Sequence, residues 1–216
     1  MTINKILKNT LWIFIMCVSL SCLTGCLALV AVGGITETAL ILGDRRPLGV
    51  VTLDRGIQLE ADSIISQKFQ DNVHVSVNVF NQKVLLTGEA KTQELKEQIQ
   101  NSIASIKNIR STANEIQIGL PSSTSSRLSD SSLFTLVKAK LIATTDVPTN
   151  SIKITVEAGS VYLMGITTDI EAKAAATVVS KSSGSIKQVV KLFDIISEEE
   201  KKKLTNATSS TNKTKE

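Results

Sequence analysis

The segment Val73-His74-Val75-Ser76-Val77-Asn78-Val79-Phe80-Asn81-Gln82-Lys83-Val84-Leu85-Leu86-Thr87-Gly88 carries two patterned runs joined by a short polar turn. Valines at every second position alternate with polar residues, the period of a half-buried strand. Asn81-Gln82 makes a turn, and Lys83 to Glu89 returns as a second strand, so the segment is a hairpin. His74 alternates with the valines and therefore faces away from them.

The same pattern recurs at an offset of 77 residues: Val77 matches Ile154, Val79 matches Val156, Val84 matches Val161, Leu86 matches Leu163 and Gly88 matches Gly165. The register then holds through Glu94 and Glu171, Ile109 and Ile186, Ile116 and Phe193, and Ile118 and Ile195. A fixed period of this kind marks two copies of one small unit.

Around each hairpin the period changes. Ile57, Ala61, Ile64 and Ile65 precede the first hairpin at helical spacing. Leu95, Ile99, Ile103 and Ile106 follow it as a second helix, and Thr112 to Ile118 reads as a third strand. The second copy predicts a helix near Ser129 to Thr144, strands near Ser151 to Glu157 and Val161 to Ile166, a helix near Asp169 to Lys181 and a strand near Val189 to Ile196. There Ala158-Gly159 takes the turn, and Gly159 supplies positive φ. The fold class is α+β: two tandem αββαβ domains, each a small mixed three-stranded sheet with two helices on one face. Gly88 and Gly165, at the ends of the second strands, are read as structural glycines where a Cβ would clash.

Outside the repeats the chain divides by composition. Lys5 and Lys8, an apolar run from Leu11 to Leu20 and Ser21 form the charged, apolar and small-residue regions of a secretory signal peptide. Leu23-Thr24-Gly25-Cys26 resembles the bacterial lipobox, which implies cleavage before Cys26 and a diacylglycerol plus N-acyl (palmitate-class) lipid on that cysteine. The alternative is a transmembrane anchor, since nearly every residue from Leu11 to Val32 is apolar or small. Gly33, Gly34 and the lack of a basic stop-transfer cluster before Arg45 favour the lipid anchor. Leu27, rather than aspartate, favours the outer membrane. The expected organisation is a signal peptide at 1–25, a lipidated N-terminal spacer at 26–56, a first domain at 57–118, a linker at 119–128, a second domain at 129–197 and a disordered tail at 198–216.

Composition excludes several functions. Of three cysteines, Cys17 and Cys22 leave with the signal and Cys26 is the anchor, so the exported body holds no disulfide. The formal net charge of +4 halves once Lys5 and Lys8 are lost, which is too mild to argue for nucleic acid. His74 is the sole histidine. With no second histidine and no thiol pair, a structural zinc site of the usual ligands is excluded; the sequence also offers no Ser/His/Asp set and no glycine-rich phosphate loop. No catalytic residue, metal or cofactor other than the Cys26 lipid is expected, and the protein is read as not an enzyme.

Two αββαβ repeats, each with Leu-x-Gly in its second strand (Leu86-Thr87-Gly88 and Leu163-Met164-Gly165), follow the lipobox and the Asp44-Arg45-Arg46-Pro47-Leu48-Gly49 segment. This arrangement resembles the bacterial BON-domain family, in particular its dual-BON outer-membrane lipoproteins. The resemblance spans roughly Gly43 to Ile196. It implies a lipid-anchored protein on the periplasmic face of the outer membrane, binding anionic phospholipid largely through the second domain and supporting envelope integrity.

The residues allow that reading. The leading helix of the first copy carries Glu60 and Asp62, whereas the second has no acid between Ser131 and Thr145. At 100° per residue Leu133, Val137 and Leu141 share a core-facing stripe, Leu136 and Lys140 flank it on one side, and Phe134 and Lys138 flank it on the other. Long cationic side chains beside apolar ones suit a membrane edge. The residues assigned to phospholipid contact are Leu133, Phe134, Leu136, Lys138, Lys140 and Leu141. In the family a tryptophan near the start of this helix helps contact lipid; Ser132 stands there. The competing reading is a non-enzymatic scaffold that docks an envelope protein partner, an assembly machine or divisome component, through the same helix or a sheet edge.

Overall fold

The computed structural model describes residues 43–69 and 72–204. The expected signal peptide, Cys26, most of the expected spacer and residues 205–216 lie outside the described residues. In the first domain α1 (Leu48–Lys68) leads into β1 (Val73–Phe80), β2 (Lys83–Ala90) and α2 (Gln93–Ala104), followed by two short strands, β3 (Ser111–Asn114) and β4 (Gln117–Ile118). In the second, α3 (Thr124–Ile142) leads through a 3-10 turn (Thr149–Ser151) to β5 (Ile152–Glu157), β6 (Ser160–Thr167), α4 (Asp169–Ser180) and β7 (Gln188–Ile195). β2 pairs antiparallel with β1 and parallel with β3 and β4; β6 pairs antiparallel with β5 and parallel with β7. Each sheet is mixed, as the helix between its last two strands requires of a parallel pair.

The third strand of the first sheet is interrupted rather than continuous from Thr112 to Ile118. Leu86 lies opposite Asn114, and Glu89 opposite Gln117, so the register is unchanged across the gap. Ile116, 1% exposed, turns into the core there while its N–H bonds the Asn114 side chain at 3.3 Å.

Each domain has its own core. Ile57, Ala61 and Ile65 of α1 and Ile99 and Ile103 of α2 cover Val77, Val79, Val84 and Leu86. Leu133, Val137 and Leu141 of α3 and Ala175 and Val179 of α4 cover Ile152, Val161 and Leu163. A third cluster joins the domains: Phe80 and Leu85 of the first sheet pack with Tyr162, Met164 and Ile166 of the second, flanked by Ala113, Val190 and Leu192. These residues alternate with the core residues along their strands, so the helix-free faces of the two sheets meet and the layers run helix, sheet, sheet, helix.

Three boundaries differ from expectation. α1 begins at Leu48, directly after Pro47, rather than at Ile57. Gly49 and Gly56 weaken this turn locally, but Asp54, Ile57, Ala61 and Ile65 form one buried stripe that carries the helix through them. The linker 119–128 is helical from Thr124, because Ser123 caps α3 and Ser129, Ser131 and Ser132 bond back to carbonyls four residues earlier instead of to the loop backbone. In the tail, residues 198–204 are helical, not disordered. Ser197 bonds the Glu200 backbone N–H at 3.2 Å, and Lys201 pairs with Glu171 at 2.8 Å.

Both hairpin turns place two residues at positive φ: Asn81 (51°) and Gln82 (62°), then Ala158 (49°) and Gly159 (78°). Only one of the four is glycine. Two buried aspartates hold these turns: Asp54 of α1 accepts from the N–H of Asn81 and Gln82 at 2.6 and 2.7 Å, and Asp130 of α3 accepts from Ala158 and Gly159 at 2.9 and 2.8 Å. Charge-assisted bonds to both exposed N–H groups offset the strain.

Gly88 and Gly165 stand two residues before the ends of β2 and β6 rather than at the ends. Gly88 has φ 110°, and a Cβ there would collide with the carbonyl oxygen of His74. On Gly165 it would lie 2.5 Å from the carbonyl oxygen of Ser151.

Candidate functional site

α3 is the element on which the lipid-contact assignment rests. Three of its residues, Leu133, Val137 and Leu141, at 6%, 0% and 0% exposure, face the core. Leu133 and Leu141 are therefore not lipid-contact residues: the spacing that puts them on one stripe also puts that stripe against β5 and β6.

The four remaining candidates fall on opposite shoulders. Leu136, 39% exposed, and Lys140 lie on one side. Phe134 and Lys138 lie on the other, with the Lys138 ammonium 5.7 Å from the Phe134 ring centroid, a cation–π pair that keeps the amine near the helix surface. Phe134 is half-buried and lines a cavity of about 480 Å³ between α3, β5 and the β1 strand of the first domain. Ile142, 61% exposed, extends the Phe134 and Lys138 shoulder by one turn. The exposed surface toward the C-terminal end of α3 is thus Leu136, Lys138, Lys140 and Ile142. No acid of α3 lies there, since Asp130 is buried under the hairpin turn.

The Asp44-Arg45-Arg46 segment has a role its spacing did not disclose. Arg45 forms a two-pronged pair with Glu171 at 2.6 and 2.8 Å and donates to the Ile166 carbonyl at 2.9 Å, all in the second domain. Arg46 pairs with Asp44 at 2.7 Å and Asp54 at 2.8 Å, and its guanidinium lies 3.9 Å over the Phe80 ring, all in or before the first. The Ser151 hydroxyl donates to the Gly43 carbonyl at 2.7 Å. Adjacent arginines therefore grip different domains. Glu171 also completes the capping box of α4 with Thr168 and accepts from Lys201. Burial pushes its carboxyl up, but the bonds from Arg45, Lys201 and the Thr168 N–H outweigh this and hold it at about 2.

A second polar anchor crosses the sheet interface. Asp194 of β7 accepts from Asn81 at 2.8 Å and pairs with Lys83 at 3.2 Å and Arg110 at 2.8 Å. Against the upward push of burial, these partners hold its carboxyl below the ordinary range. Lys153 of β5 reaches back to the Val79 carbonyl at 3.4 Å, and burial together with the Arg46 charge lowers its ammonium value.

The BON domain model matches residues 59–119 and 129–197. This chain belongs to the BON-domain family. Its two BON domains are the two αββαβ units, and the matched ranges leave out the first turns of α1 and α3 that the structure adds. The chain is 30% identical over 173 residues to the outer membrane lipoprotein DolP of Haemophilus influenzae, covering 79% of this chain and 89% of that protein. It is also 30% identical over 129 residues to a 21 kDa hemolysin of Actinobacillus pleuropneumoniae, covering 60% of this chain and 66% of that one. Among solved structures it is similar to the C-terminal domain of CdsD, a structural protein of the type III secretion system of Chlamydia trachomatis, at 11% identity and a TM-score of 0.29, covering 64% of this chain and 96% of that one. That likeness is too distant to bear on function. No helix among the described residues is long and apolar enough to cross a membrane.

Proposed function

We propose that this BON-domain protein is a non-enzymatic lipoprotein of the outer membrane, anchored through Cys26 on the periplasmic face, whose second BON domain binds anionic phospholipid through the exposed end of α3 and thereby supports envelope integrity. The observation that carries the reading is the exposed side of α3 near its C-terminal end, where each shoulder carries one lysine beside one exposed aliphatic side chain (Leu136 with Lys140, Ile142 with Lys138), on a helix whose only acid is buried. Its similarity to an outer membrane lipoprotein supports the location. Each lysine near an anionic surface contributes on the order of 1 kcal/mol, so without the anchor the binding is weak and is read at high lipid concentration. A lipid anchor supplies a high local concentration, at which such contacts discriminate between lipids.

Co-sedimentation of residues 43–216 with liposomes tests this. Binding to cardiolipin- or phosphatidylglycerol-rich vesicles, absent with neutral lipid, weakened by salt and abolished by Lys138→Glu with Ile142→Ser, is the expected result. Binding that ignores both substitutions, or no binding even to cardiolipin-rich vesicles, would refute the assignment to α3. The latter outcome would favour docking of an envelope protein partner.

A further inference from the structure

Three side chains from both domains converge where β1 and β5 line the cavity beneath α3. His74 on β1 stands opposite Glu89 on β2 in the strand ladder, with its Nδ1 3.0 Å from the Glu89 carboxylate. Glu157 ends β5. One donor atom from each of His74, Glu89 and Glu157 lies within 4.8 Å of the other two. Glu89 is held from behind by Ser122, whose hydroxyl donates to one carboxylate oxygen and whose N–H donates to the other at 3.3 Å. Glu157 is only 9% exposed, lines the cavity, and accepts no hydrogen bond among the described residues. Its carboxylate opens onto the cavity beside a second carboxylate and is therefore free to take a ligand.

The local charges sharpen the point. Burial, and then the Glu89 charge, push the Glu157 carboxyl above its ordinary value. Asp130 adds to that repulsion, and His74 and Arg127 oppose it. The Arg127 guanidinium, however, donates to the Ser122 carbonyl at 3.1 and 3.3 Å and forms no ion pair with Glu157. The cluster is short of positive charge and opens onto space large enough for water.

We propose that His74 Nδ1, one oxygen of Glu89 and one oxygen of Glu157 bind a divalent transition-metal ion of the zinc class, with water from the cavity completing a four-coordinate shell. Imidazole with carboxylate selects this class over calcium and magnesium, which take six or more oxygens or keep most of their waters. Bonds of 2.0–2.2 Å in a tetrahedron set donors about 3.4 Å apart, so the observed cluster reaches ligand geometry by small side-chain shifts. Ser122 supplies the outer partner that orients a ligating carboxylate. Because His74 and Glu89 come from the first domain and Glu157 from the second, the ion would fasten the two together.

The test uses the full chain with Cys17→Ser, Cys22→Ser and Cys26→Ser, in mild detergent, without a histidine tag, so that no thiolate or added imidazole competes. Calorimetric titration with zinc should give one saturable site. Cobalt should give the visible absorption of a four-coordinate ion, and calcium and magnesium should not compete. His74→Ala and Glu157→Gln should each weaken zinc by more than about tenfold, Ser122→Ala by roughly tenfold, and Glu97→Gln on exposed α2 not at all. Zinc should raise the unfolding midpoint of the wild type but not of His74→Ala. Metal-free Glu157→Gln should be at least as stable as wild type, which separates lost ligation from misfolding. No saturable zinc binding, or His74→Ala binding like wild type, would overturn the proposal.

Discussion

Replacing Glu171 by glutamine removes the charge that Arg45 and Lys201 share while leaving an amide able to keep the α4 capping box. The Glu171 carboxyl is held at about 2 against an ordinary 4.5, and its side chain is 8% exposed, so solvent screening is slight. A folded value below the unfolded one means that stability is gained on ionisation. The contribution is complete above pH 4.5 and disappears as pH falls through about 2. Its size is about 3 kcal/mol at pH 7 and about 1 kcal/mol at pH 3. Urea denaturation of wild type and Glu171→Gln across that range should show a gap of about 3 kcal/mol at neutrality that narrows steadily toward acid. Other carboxylates titrate in both proteins and cancel in the difference. A gap below about 1 kcal/mol at pH 7, or one that does not change with pH, would refute the claim that the Arg45 pair is a net stabilising contact rather than a charge pair cancelled by its own desolvation.

Asp130→Ala should cost about 2–3 kcal/mol in denaturant unfolding, because it strands two turn N–H groups and leaves Ala158 unsupported at positive φ. Gly165→Ala should cost about 3 kcal/mol in the same assay, since its Cβ meets backbone, whereas Gly184→Ala, with open space around it, should be near neutral. Tyr162, the sole tyrosine and 1% exposed between the sheets, has its phenol pushed up by burial and then by the Glu115 charge. Its folded value exceeds the ordinary 10.0, so stability is lost as pH rises through that value. Ultraviolet titration should therefore show phenolate appearing above pH 10 together with loss of circular dichroism.

The order of elements was legible because strand and helix periods differ and because the repeat reproduces each of them. Core positions such as Val77, Leu86, Val137 and Leu163 followed from the same periods. The sheet–sheet interface did not follow, although its signal is present: Val84-Leu85-Leu86 and Val161-Tyr162-Leu163-Met164 are apolar on both faces of their strands, which is how a strand covered on both sides reads. The two turn-holding aspartates escaped because Asp54 and Asp130 lie one residue out of the register that aligns the strands. The His74, Glu89 and Glu157 cluster escaped because a count of cysteine and histidine overlooks carboxylates that only the docking of two domains brings together. On α3, spacing separated the core stripe from its flanks, but only packing shows that Phe134 lines a cavity while Ile142 is open to solvent.

The paired grip of Arg45 and Arg46 sets how force would enter this molecule. Any pull applied to the chain upstream of Gly43 arrives at a point bonded to Glu171 and Ile166 on one side and to Asp54 and Phe80 on the other. Such a load is divided between the domains before it reaches the first turn of α1. Peeling one domain from the other then requires breaking the Arg45 pair with Glu171 as well as the Asp194 pairs with Lys83 and Arg110, so a tether attached at this end would hold the whole sandwich and not merely its first half.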